Sequence, residues 1–189
     1  MADSFRRGFV PSRHLTGGGT FRTAHYKTNA ELKAPLGTGD PVALSSGVLQ
    51  RLTTALTSGF IGIVKTVYQD DGRPLTFNLP NRAVYVNTSA SAMVEVYDDP
   101  DIVYTVECAV SLGQSNVGAM ATVNVSSMNS ATGISRAHLS LVENSGQALK
   151  VFRVIGLAPS ELAVTANGSP NNDVEVVVAR HLFKSPNAA

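Results

Sequence analysis

Asp98, Asp99 and Asp101 are the residues of this chain most able to do chemistry. They crowd into Val94–Glu107, VEVYDDPDIVYTVE, with Pro100 among them. As a metal site, the cluster offers three carboxylates, whereas Ca²⁺ takes roughly six to eight oxygen ligands from a loop that curls round the ion. No glycine turn with a distal glutamate follows, and His14, His25, His138 and His181 stand far apart along the chain. As a structural corner, the cluster needs nothing more. Aspartate side chains accept from nearby backbone amides in turns, and proline fixes φ and ends a ladder. The corner is the stronger reading; a bound cation held by Asp98, Asp99 and Asp101 is second, and a metal-dependent hydrolase built on them third.

Other chemical motifs fall away one by one. Gly17-Gly18-Gly19 lacks the Lys-Ser/Thr pair and the helix of a phosphate-binding loop, so it reads as a hinge. Thr132-Gly133-Ile134-Ser135-Arg136-Ala137 resembles a serine-hydrolase elbow but lacks its second glycine. Asn87-Thr88-Ser89 fits a glycosylation sequon, a chance match in a chain whose N-terminus has no apolar signal region. Cys108, the single cysteine, sits in the alternating run IVYTVECAV and is expected as a buried free thiol in a protein folded under reducing conditions.

The elements that must hold these residues are strands. Period-two alternation is clear in IVYTVECAV, AHLSLVEN, ALKVFRVIGL and DVEVVVARHL, and FIGIVKTVY is rich in β-branched and aromatic residues. RAVYVNT and SAMVEVYD add two more strands, and Asp71-Gly72 marks a hairpin. Helical signal is confined to residues 47–57 and a turn at Ser160-Glu161-Leu162. Close-spaced strands with few short helices predict a mainly β fold, an antiparallel barrel or sandwich. Both faces of ALKVFRVIGL are largely apolar, as in a strand covered on both sides or lying at a subunit boundary.

Composition narrows the function classes. Charged residues make up 15% of the 189-residue chain and the net charge is +1, so neither nucleic acid nor a membrane has a global electrostatic claim on it. No apolar run is long enough for a transmembrane helix. The charge is uneven, however. Residues 1–36 form an extended basic N-terminal arm, and 37–189 a β-rich domain. In the arm, Arg6, Arg7, Arg13 and Arg22 are interleaved with Phe5, Phe9, Phe21 and Tyr26. That mixture suits docking on a protein more than on phosphates, since arginine makes planar contacts to carboxylates and aromatics fill pockets. An arm of this size needs another surface to lie on.

The order and spacing of several short segments resemble one family. They are Phe9-Val10-Pro11, Arg13-His14-Leu15, Gly39-Asp40-Pro41-Val42, Ile61-Gly62-Ile63-Val64 leading to Tyr68, and Asp98-Asp99-Pro100-Asp101. Gly118, Thr132-Gly133-Ile134-Ser135 with Leu139, Leu149 to Leu157 and the closing strand with His181 complete the set. Across nearly the whole chain, these segments resemble the capsid decoration, cement or head-stabilisation proteins of tailed bacteriophages. The resemblance implies a non-enzymatic virion protein on the outer surface of an icosahedral capsid. It would form a homotrimer that bridges capsomers, bind the major capsid protein without a cofactor, and assemble in the bacterial host cytoplasm. Cys108 and the polar stretch 111–131 depart from the family pattern. The contact residues expected on this reading are Phe5, Arg6, Arg7, Phe9, Arg13, Phe21, Arg22, Asp98, Asp99 and Asp101. The alternative, a carbohydrate- or receptor-binding β-module of a phage tail or fibre, is weakened by the absence of tryptophan.

Overall fold

The computed structural model describes residues 7–28, 36–53, 59–68, 92–125, 129, 132–143, 150–158 and 172–184. The Asp71-Gly72 hairpin, the RAVYVNT strand, the turn at Ser160–Leu162, the sequon, and Phe5 and Arg6 lie outside them. Eleven strands are described: β1 Val10–His14, β2 Thr23–Lys27, β3 Pro41–Ser45, β4 Val48–Arg51, β5 Phe60–Tyr68 and β6 Met93–Tyr97. The rest are β7 Ile102–Glu107, β8 Met120–Asn124, β9 His138–Glu143, β10 Lys150–Leu157 and β11 Asp173–Val178. They form two antiparallel sheets, one of six strands in the order β1-β7-β11-β10-β8-β9 and one of five in the order β2-β6-β5-β3-β4.

The sheets stack as a sandwich. Alternation along β7, β10 and β11 turns Tyr104, Val106, Phe152, Val154, Val174 and Val176 inward against Ala43, Phe60 and Ile63 of the other sheet. Phe152 is the hub, stacked on Phe9 at 4.5 Å between ring centres and met edge-on by Phe60 at 5.3 Å and Tyr104 at 6.5 Å. Val151 joins the same core although it neighbours Phe152, because the β8–β10 register shifts between Lys150 and Phe152. The apolar run of β10 is thus covered within the chain, with Arg153 left exposed.

The five-stranded sheet also has a core on its second face, built from Val42, Leu49, Ile61, Val64, Val67, Val94 and Val96. It is curled, so that Thr28 bridges Leu49 across its two outer strands. In the larger sheet Cys108, just beyond β7, makes a similar bridge to Leu139 of the edge strand β9. Each contact is a single bridge, not a ladder, so neither sheet closes as a barrel. Cys108 is buried as expected, and burial pushes its thiol pKa up.

Two departures from the sequence reading have local causes. Residues 48–51, expected within a short helix, form β4 instead. Ser46 and Gly47 both take positive φ, 51° and 77°, which makes the tight hairpin that folds β4 back on β3. The basic arm finds its other surface inside the chain. Residues 7–28 supply β1 at the edge of one sheet and β2 at the edge of the other.

Gly62 carries the sharpest backbone constraint. Its φ is 156°, it sits where the β3–β5 register shifts, and a Cβ there would lie 2.0 Å from the Tyr97 carbonyl oxygen. Gly47 has a φ of 77° but open space around it. Gly47→Ala should therefore cost about 1 kcal/mol from backbone strain alone. Gly62→Ala should cost about 3 kcal/mol or more, from strain and overpacking together. Urea unfolding of both variants checks this; equal costs would mean the β5–β6 contact can relax.

Candidate functional site

The aspartate cluster is a corner between the two sheets. β6 ends at Tyr97 in the five-stranded sheet and β7 begins at Ile102 in the six-stranded one, leaving Asp98–Asp101 to make the crossing. Asp99 Oδ1 accepts from the Asp101 amide at 3.0 Å, the local bond expected of an aspartate at a turn. The rest of the carboxylate capacity goes to four separate partners. Asp98 Oδ1 accepts from Arg22 Nε at 2.9 Å and its Oδ2 from the Tyr26 hydroxyl at 2.9 Å. Asp99 Oδ2 lies 3.0 Å from His14 Nε2, and Asp101 Oδ1 accepts from Lys184 Nζ at 3.0 Å. Among the described residues, no group of three or more His, Cys, Asp or Glu converges on a metal position.

Electrostatics agree with this division. Burial raises the Asp99 pKa, but the Asp101 amide, the His14 ring and the Arg22 charge outweigh it and leave the carboxyl below its ordinary value. The Arg22 guanidinium is raised, first by its hydrogen bond to Asp98. Burial, then the bond to Asp98, pushes the Tyr26 hydroxyl well up.

The basic arm continues the pattern on the outer face of the six-stranded sheet. Arg7 donates to Asp173 at 3.0 Å and Arg13 to Glu175 at 2.8 Å, with Ser12 also reaching Glu175. Of the expected contact residues, Arg7, Arg13, Arg22, Asp98, Asp99 and Asp101 are therefore engaged within the chain. Phe9 must be corrected outright. At 2% exposure it lies in the core against Phe152 and Tyr104, so it offers no free ring on the surface of the closed chain. Phe21 is half-buried, edge-on to Tyr97 at 6.0 Å between ring centres.

A second polar knot went unread in the sequence. Asp40, fully buried, accepts from the Ser135 hydroxyl and from the Gly37 amide at 2.8 Å, with Arg51 at 3.6 Å. Burial raises the Asp40 pKa against the opposing pull of Arg51, Ser135 and the Gly37 amide. Ser135 is the serine of the elbow-like motif, and it too is fully buried. Its oxygen also accepts from the Ala137 amide at 2.9 Å, so it is a tie without access for a substrate. Gly39-Asp40-Pro41-Val42 and Thr132–Ser135 thus meet in space, joined further by Thr38 N to Gly133 O at 3.1 Å. His181, also buried, donates from Nε2 to the Ile61 carbonyl at 2.7 Å, and burial lowers its pKa.

In a third polar cluster, Glu95 on β6 collects the Thr23 hydroxyl at 2.9 Å, Lys65 at 2.8 Å and the Tyr68 hydroxyl at 3.0 Å. Burial raises its pKa, and these donors together bring it below the ordinary value. No protein-family model matches the chain, and no curated protein matches it.

Asp99 and Glu95, both lowered on folding, add stability that is complete above about pH 5 and lost as pH falls through the carboxylate range. Asp40 has the opposite sign, since its raised value makes ionisation costly as pH rises. Asp99→Asn keeps the acceptor for the Asp101 amide but loses the charge facing His14. It should destabilise by about 1 kcal/mol at pH 7. The gap from the parent should shrink as the pH drops below the carboxylate range. Urea unfolding at neutral and acid pH measures it, and a gap independent of pH would assign the loss to packing.

Proposed function

We propose that the chain is a non-enzymatic virion structural protein that binds the outer surface of an icosahedral phage capsid as a trimer and stabilises the shell by bridging capsomers. One observation carries the reading. The residues with the strongest chemical potential, the corner aspartates and the arm arginines, hold the N-terminal segment across both sheets. A chain that spends its charged groups on its own architecture, with its one elbow-like serine sealed, is suited to a structural task. The low charged content fits contacts made by neutral hydrogen-bonding groups and water, as wet interfaces are. Binding to the assembled lattice in preference to free subunits stabilises the lattice by mass action. A threefold protein repeats each weak contact three times, so avidity replaces individual affinity.

The test is co-sedimentation of the purified protein with expanded heads of the phage that encodes it, paired with its mass in solution. Saturable binding by a trimer is the expected result. A monomer that stays in the supernatant at every concentration overturns the proposal.

A further inference from the structure

We propose that β1 is exchanged between copies: residues 7–15 of one chain fill the β7 edge and the Phe9 pocket of a second copy. Everything that holds this segment lies elsewhere in the sequence. The Phe9 amide donates to the Gly39 carbonyl at 3.1 Å, and the Phe9 ring stacks on Phe152. Arg7 and Arg13 bind Asp173 and Glu175 of β11, while Val10–His14 pair with Ile102–Thr105 of β7. The acceptor surface is specific for this occupant. A Cβ on Gly8, whose φ is +66°, would lie 2.7 Å from the Ser135 Cβ and 2.8 Å from the Gly39 carbonyl oxygen. A strand entering here must therefore carry glycine just before its buried aromatic ring, as Arg7-Gly8-Phe9 does.

The connection to the rest of the chain is built to pivot. Leu15–Thr20 is exposed throughout, and nothing lies within 4 Å of a Cβ placed on Gly17 or Gly19. Beyond it, β2 is fixed by its ladder to β6 and by the Arg22–Asp98 pair. Straightened, Thr16–Phe21 would span at most about 20 Å, enough to carry β1 off its own sheet towards a neighbour. Exchanged and closed arrangements make the same contacts with β7, β10 and β11. They differ only in the link, the new subunit interface and the entropy of association, which makes exchange a low-cost route to oligomers. The proposal concerns the protein alone and does not depend on capsid binding.

Val10 and Thr105 face each other across the β1–β7 ladder, at a spacing that suits a disulfide. A tagged Val10→Cys chain and an untagged Thr105→Cys chain are unfolded together, refolded at high concentration and oxidised. Exchange predicts a covalent tagged–untagged dimer of twice the chain mass, in excess over like-with-like dimers. The double variant V10C/T105C reports whether the pair can close at all, and exchange predicts that its oxidation yields chains linked into multimers. A double variant that oxidises only to monomers with an internal link, beside a mixture that gives no mixed dimer, overturns the proposal.

Discussion

The chain has to pass from one sheet to the other in four residues, and it does so with three carboxylates in the bend. Asp98 is nearly buried there, and a carboxylate withdrawn from water without partners is costly. The fold's answer is the segment 7–28, which brings Arg22, Tyr26 and His14 to the corner, with Lys184 added from the far end of the chain. Corner and strap are therefore one unit. Without the strap, Asp98 and Asp99 lose their ionic and hydroxyl partners; without the corner, the strap loses its anchor between the sheets. Asp173 and Glu175 extend the same arrangement along β11.

The strand pattern was legible in the sequence because alternation of side chains between faces is a local signal: on β7 and β11 alternate residues enter the core between the sheets, and β10 departs from this at Val151, beside its register shift. The DDPD corner was legible for the same reason, being flanked by two such strands. What could not be read depends on distant residues. Phe9, interleaved with arginines, looks like a docking residue, and its pocket exists only after Tyr104 and Phe152 have been placed. Asp40 carries no local mark of burial, since its partner Ser135 is 95 residues away. The β4 segment was read as helix because its apolar spacing is ambiguous over so short a run. The deciding signal was Ser46-Gly47, a two-residue turn.

The motifs that carry the family resemblance turn out to have architectural jobs. Gly39-Asp40-Pro41-Val42 and Thr132–Ser135 make one buried knot, Gly62 permits close approach to β6, and His181 ties the C-terminal turn to β5. Residues used in this way constrain a fold without prescribing a reaction. Among the described residues, the charged groups of these motifs are largely spent on contacts within the chain. That use separates two questions that the sequence alone merges. The arginines and aspartates explain how the protein holds together; what it binds is a separate question.

The strap has a further consequence for how the chain folds. Arg7 meets Asp173 across 166 positions, and Arg13 meets Glu175 across 162. Contacts this distant close very long loops, and loop closure must precede any gain from them. β1 therefore cannot be fully seated until β11, far behind it in the chain, has emerged from the ribosome. In the interval the β7 edge and the Phe9 pocket wait for an occupant, and several chains made side by side share one pool of unseated N-termini.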